Sequence, residues 1–196
     1  SPNDPPELDG EATEVGELDA VEDDDDDDEL PPAVTAHGIF DLAAAQAGGA
    51  GFYDFPIPSE LRTDAQGKVL LTGMPAPAVN LVKDAIALVQ SERPGFSPLG
   101  AVYFRFDAAL DEASFPDPEA SLGAGASVQL VNIDAASARR GQRIPVYVSF
   151  HTGRSAFWTG NTLALRPMPG LQMEPATRYA AVLTRGLRAA DGDRKS

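Results

Sequence analysis

The sequence contains no cysteine among its 196 residues. This absence excludes disulfide bonds, catalysis by a thiol and zinc sites built from cysteine. Histidine is scarce as well, since His37 and His151 are the only two, and this leaves little for a histidine-rich metal centre. No apolar run approaches the roughly 20 residues that a membrane-spanning helix needs. Because 43% of the residues are hydrophobic, the chain can instead form a core of its own.

Basic residues are missing from the start of the chain. Residues 4–29 hold 15 of the 30 acidic residues and no Lys or Arg, so the rest of the chain has 15 acidic and 15 basic residues. Because dense like charges repel one another and few apolar groups accompany them, residues 1–34 are predicted to be a disordered acidic tether. The balanced remainder has one small basic cluster, Arg139, Arg140 and Arg143. This distribution argues against nucleic acid as a partner.

Residues 35–100 are predicted to form a helix-containing N-terminal elaboration. Residues 35–46 fit a short helix that the following glycines end. A better helix follows, because four apolar residues recur at helical spacing: Val79, Val82, Ile86 and Val89. The helix should end before Pro94, since the Pro-Gly pair there cannot continue it. We expect this amphipathic helix to pack on a sheet.

Residues 101–196 change from a helical period to a period of two. Strand-like runs occupy residues 102–106, 128–133, 144–150, 162–166 and 179–184. Loops rich in Pro, Gly and Asp separate the runs, and no helical pattern lies between them. This arrangement predicts a mainly β fold, an antiparallel β-sandwich, because a parallel sheet would need crossover helices.

Motifs in the second half of the chain resemble those of a bacterial Ig-like domain. The sequence reads NTLALRP at 161–167, EPATRY at 174–179 and VLTRGLRAADG at 182–192. In such domains a strand closing in L-x-P leads to L-x-P-x-T-x-Y, and then to a further strand and a G-L-x-D-x-x-G turn. Residues 101–107, followed by Leu110, Asp111 and Ser114, are similar to the early strand of the same pattern.

This resemblance covers about residues 101–192 and implies an Ig-like β-sandwich. In the pattern, the last turn delivers the chain into a final strand. We therefore expect the sandwich of residues 101–196 to lack that strand, and a downstream part of the same protein to complete it. On this interpretation the chain is the N-terminal fragment of a longer protein.

A second resemblance concerns residues 55–61, FPIPSEL, and residues 64–71, DAQGKVLL. They are similar to the opening of the N-terminal domain of exported bacterial lipases and related α/β-hydrolase lipoproteins. This implies an exported accessory domain of a hydrolase-type protein, located at the outer-membrane surface, in the periplasm or outside the cell. The Pro- and Asp-rich opening also suits a lipoprotein with a lipid anchor before Ser1. The alternative is a stand-alone surface adhesion or binding module, either with or without a requirement for Ca²⁺.

Catalysis by the chain itself is not expected. The sequence has no G-x-S-x-G nucleophile elbow, since the nearest match, residues 95–100, is one residue too long. His151 ends a strand-like run and is the only candidate for a general base. The alternative for His151 is a strand-end side chain that bonds to a loop. No catalytic residue and no cofactor are therefore predicted.

Two further groups of residues are weak candidates for binding. Asp107, Asp111, Asp117 and Glu119 lie in loops that could supply oxygen ligands to Ca²⁺, although aspartate also caps turns without any ion. Phe157 and Trp158 lie in a long loop and join His151 as candidates for recognition, because aromatic residues are enriched at binding sites. Their alternative role is to plug the core beneath that loop.

Overall fold

The computed structural model describes residues 35–92 and 94–190, and this part is mainly β, as predicted. Its strands are β1 (Val102–Arg105), β2 (Val128–Asn132), β3 (Arg143–Ile144), β4 (Val146–His151), β5 (Thr162–Pro167) and β6 (Tyr179–Leu183). They form two antiparallel three-stranded sheets, one in the order β1-β5-β4 and the other in the order β3-β2-β6. The predicted acidic tether, residues 1–34, lies outside the described residues. Residues 191–196, which include the last two residues of the predicted closing turn, lie outside them too.

β5 is the central strand of the first sheet. Leu165 lies opposite Val102 on β1 and Val148 on β4. Leu163 and Leu165 are fully buried, and the residues that alternate with them, Thr162 and Ala164, are buried as well. β5 is therefore covered on both faces.

Side chains from both sheets meet in one hydrophobic cluster. The first sheet contributes from β1, β4 and β5, and the second sheet contributes from β2. The buried members are Val102, Phe104, Phe106, Leu110, Val128, Leu130, Val146, Phe150, Leu163 and Leu165. Because burial of apolar surface is the main favourable term in folding, this shared cluster is what stabilises the two sheets together.

A second, aromatic cluster lies beside β1. Phe52, Tyr53 and Ile57 are its buried members. Ile57 and Tyr103 exchange backbone hydrogen bonds, with Tyr103 N–H donating to Ile57 O at 2.8 Å. An ion pair between Asp54 and the side chain of Arg105 adds a further link. The N-terminal elaboration thus covers the outer edge of β1.

Two α-helices are formed within the N-terminal elaboration, α1 (Leu42–Ala47) and α2 (Asn80–Glu92). α1 starts later than predicted because Asp41 caps it, accepting a hydrogen bond from Ala44 N–H at 2.9 Å. Gly48 ends it with a φ of 78°, and a Cβ there would lie 2.5 Å from Thr72 O. In the described ranges, neither helix combines the length and apolar character that crossing a bilayer requires.

α2 occupies the predicted position, but it does not pack on a sheet as expected. None of its residues is buried. Leu81 is 77% exposed and Leu88 is 60% exposed, so the apolar stripe remains largely in contact with solvent. The spacing of the apolar residues correctly locates the apolar face of α2. In the fold, however, no sheet covers that face.

Candidate functional site

β6 is an edge strand whose outer side has no partner in the described part of the chain. Ile133 N–H donates to Arg178 O at 2.9 Å, and in an antiparallel ladder such bonded positions alternate with non-bonded ones. The backbone groups of every second β6 residue therefore face away from β2. These residues are Tyr179, Ala181 and Leu183. No backbone hydrogen bond among residues 35–92 and 94–190 engages their outward groups.

An apolar groove lies beside this edge, and we call it the β6 groove. Its volume is about 650 Å³, and its walls include Val102 of β1, Leu130 of β2 and Ala181 of β6. The first two belong to the shared core cluster, and Ala181 packs against it. A second hollow of about 1050 Å³ lies at the other end of β6, beside Phe106 and Leu183. The core between the two sheets therefore reaches the surface along β6.

The structure brings the candidate aromatic residues of the 152–161 loop next to His151. The ring of His151 stacks on that of Trp158, with centroids 4.2 Å apart and planes inclined by 8°. Trp158 also packs against the aromatic cluster beside β1, as its alternative role as a core plug requires. Phe157 is 45% exposed and is the member of the group that faces solvent.

The ring of His151 packs against an aromatic neighbour. Its ring makes no hydrogen bond to a carboxylate or a hydroxyl group within the described residues. The stack on Trp158 instead gives His151 a packing role at the end of β4.

The four Ca²⁺ candidates, Asp107, Asp111, Asp117 and Glu119, do not converge. Asp111 and Asp117 each accept a hydrogen bond from a backbone N–H two or three residues further along the chain. Aspartate stabilises short helical turns in this way. No group of three or more metal-ligating side chains forms in the part of the chain that the structure describes. The positions of Asp111 and Asp117 therefore fit the turn-capping alternative.

Asp107 instead holds the segment before α1 against the end of β1. Its carboxylate accepts a hydrogen bond from His37 N–H at 2.7 Å and lies 3.1 Å from His37 Nδ1. These interactions, the backbone bond foremost, lower the pKa of Asp107 below its usual 3.8. A carboxyl group with a lowered pKa stabilises the fold above its unfolded-state pKa. That contribution is lost as the pH falls through the lowered value.

We expect Asp107→Asn to make the melting temperature depend less on pH in the acid range. The variant should lose less stability than the wild-type protein when the pH falls from about 5 to about 2.5. Asp84→Asn is the matched control, because it changes the net charge equally at a side chain that makes no hydrogen bond in the described structure. Melting temperatures followed by circular dichroism at each pH measure the effect. Parallel acid profiles for the two variants would contradict the assignment.

A larger apolar groove separates α2 from the aromatic cluster, and we call it the α2 groove. Its volume is about 820 Å³. One wall is α2, through Ala85, Leu88 and Val89, and the opposite wall includes Tyr53 and Tyr103. No pattern in the sequence indicated that these aromatic residues would face α2 across a groove.

Comparison of the chain with protein-family models, with curated proteins and with solved structures found no match.

Proposed function

We propose that this chain is a non-catalytic Ig-like β-sandwich that serves as an accessory domain of a larger exported protein of the hydrolase type. We further propose that another strand of that protein pairs with the outer edge of β6. The observation that carries the proposal is the free edge of β6 beside an exposed part of the core. A sandwich that lacks one strand has both an unpaired strand edge and exposed core side chains next to that edge.

The sandwich interpretation is supported by the hydrophobic cluster that both sheets share. The order of the Ig-like motifs supports it too, because β5 and β6 coincide with the two closing strands of that pattern. After β6 the chain turns and runs beside an earlier segment. Asp111 N–H donates to Arg188 O, and Ala190 N–H donates to Ala109 O, both at 2.9 Å.

The outer edges of β1 and β6 differ in a way that favours strand addition at β6. The edge of β1 is occupied, because Ile57 and Tyr103 bond to each other across it. The edge of β6 offers the backbone groups of Tyr179, Ala181 and Leu183. An added strand could bond to these groups and place alternate apolar side chains in the β6 groove. Recognition would then come from main-chain hydrogen bonds and burial rather than from charge.

The non-catalytic part of the proposal is supported by the surroundings of His151. The sequence has no nucleophile elbow, and the ring of His151 is engaged by Trp158. We assign the hydrolytic chemistry to another part of the larger protein. A G-x-S-x-G elbow encoded after Ser196 would favour this hydrolase assignment. Further Ig-like repeats in its place would favour an adhesion module.

Extension of the chain past Ser196 tests the proposal. We expect a polypeptide that includes the next encoded strand to melt about 5 °C or more above the 196-residue chain, because the added strand covers the β6 edge and groove. Ala181→Pro removes an outward N–H that only an added strand uses. It should cancel most of the gain in the extended protein and shift the melting temperature of the 196-residue chain by less than about 2 °C.

Ala180→Pro is the matched control, because it removes an N–H that faces β2. It should lower the melting temperature of both the 196-residue chain and the extended polypeptide. A gene that ends at Ser196, or an extension that leaves the melting temperature unchanged, would contradict strand addition at β6.

A further inference from the structure

The α2 groove combines a large volume with an apolar lining. It measures about 820 Å³, within the range of roughly 300–1,000 Å³ that is typical of small-molecule sites. Leu88 and Val89 of α2 form part of one wall and are 60% and 39% exposed. A molecule held between α2 and the aromatic cluster would therefore remove apolar surface of the helix from water.

The charge and polarity of the lining restrict what the groove can hold. None of the described residues that line it carries a charge. Burial of an ion without a partner is costly, so a charged ligand is disfavoured there. The hydroxyl groups of the lining belong to Tyr53, Tyr103 and Ser97. The groove thus suits a molecule that is largely apolar but has a polar atom.

Tyr53 is the polar group best placed to select such a molecule. Its side chain is buried, with only 3% of the residue exposed, and it lines the groove. Its hydroxyl makes no hydrogen bond within residues 35–92 and 94–190, and it is not among the fully enclosed polar atoms that lack a partner there, so it borders the open groove. Burial raises the pKa of Tyr53 to about 12, so the hydroxyl stays protonated, and able to donate a hydrogen bond, to a higher pH than an exposed tyrosine. Burial also raises the pKa of Tyr103.

We propose that the α2 groove binds a neutral, largely apolar small molecule that carries a hydrogen-bond acceptor such as a carbonyl oxygen. The apolar part of the ligand lies between α2 and the aromatic cluster, and its acceptor bonds to the hydroxyl of Tyr53. This inference does not rest on the proposed accessory function, because it uses neither the edge of β6 nor a downstream strand.

Fluorescence titration of the full 196-residue chain with prodan, a neutral naphthyl ketone, tests the proposal. We expect saturable binding with a dissociation constant in the micromolar range. Tyr53→Phe keeps the ring and removes the hydroxyl, so prodan affinity should fall about three- to tenfold. The affinity for N-phenyl-1-naphthylamine, a neutral probe without a carbonyl group, should change less than twofold. Equal changes for the two probes would overturn the role of Tyr53.

Two substitutions on the exposed face of α2 locate the site. Leu88→Asp places a charge in the lining and should weaken prodan binding at least tenfold. Leu81→Asp is the matched control on the same helix, because Leu81 is 77% exposed and lies outside the lining. It should change the affinity less than twofold. Both leucines are exposed, so neither variant should impair folding, and circular dichroism verifies this. The two variants therefore test the location of the site even if the buried substitution Tyr53→Phe affects folding.

Three results would overturn the proposal. The first is the absence of saturable prodan binding to the wild-type chain. The second is an equal loss of binding in Leu88→Asp and Leu81→Asp, which would indicate adsorption to the whole apolar face. The third is a wild-type dimer in sedimentation that Leu88→Asp dissociates, since the groove would then be covered by a second copy of the chain.

Discussion

Replacement of Arg62 by alanine is expected to lower the free energy of unfolding by about 3–5 kcal/mol. Only 2% of Arg62 is exposed. Its guanidinium group donates to Phe52 O at 2.6 Å and to Ala45 O at 3.3 Å, and it lies 4.1 Å above the ring of Phe52. A single side chain therefore joins α1, the turn after it and the aromatic cluster.

The cost arises from what the substitution leaves behind. Two buried carbonyl oxygens lose their donor, and the removed side chain leaves a cavity. Arg62→Lys keeps the charge but loses the planar fork that reaches both carbonyl groups, so we expect an intermediate loss. Arg140→Ala is the control, because Arg140 is exposed, and it should change stability by less than about 0.5 kcal/mol. Urea unfolding at neutral pH measures all three, and a loss below about 1 kcal/mol for Arg62→Ala would contradict this role.

Leu165→Ala is expected to have an effect of similar size, about 3–5 kcal/mol. Leu165 is fully buried at the centre of β5, between Val102 of β1 and Val148 of β4. It belongs to the cluster that side chains of both sheets form. The substitution removes apolar contacts and opens a cavity in that shared core. The loss should therefore reduce the stability of both sheets together.

Urea unfolding monitored by circular dichroism measures the effect of Leu165→Ala. Leu99→Ala is the matched control, because the same atoms are removed from a residue that is 66% exposed. The control should change stability by less than about 0.5 kcal/mol. Similar losses for the two variants would show that Leu165 does not occupy a shared core.

The positions of the strands could be predicted from the sequence because successive side chains of a strand point to opposite faces of the sheet, which leaves a period of two in the residue types. The runs at 102–106 and 162–166 became β1 and β5 almost unchanged. The position of α2 was predicted for a similar reason, from its helical spacing. Its packing was not, because an amphipathic pattern identifies the apolar face and does not specify what covers that face.

Features that depend on contacts between residues distant in the sequence could not be predicted. An arginine such as Arg62, between two turns, is normally exposed, and its burial depends on carbonyl groups that only the fold brings together. The four Ca²⁺ candidates show the same limit, since residue type alone does not specify whether carboxylates lie together, and no group of three or more metal-ligating side chains forms among the described residues. His151 and Trp158 were each singled out in the sequence, but their stacking required the folded loop.

The site at β6 was predicted from the sequence only in part. The Ig-like resemblance implied a missing strand, but the sequence did not indicate which edge would be left free. In the described part of the chain, β6 pairs with β2 on one side and has no partner strand on the other, and the β6 groove lies beside that side. The partner strand itself remains part of the proposed function.

Amide hydrogen exchange on β6 tests the central claim most directly. In the 196-residue chain, the amides of Tyr179, Ala181 and Leu183 should exchange rapidly, while those of Ala180 and Val182 should be protected by β2. In the polypeptide extended past Ser196, all five amides should exchange slowly. Protection of the three outward amides in the 196-residue chain, or rapid exchange of them in the extended polypeptide, would contradict the account.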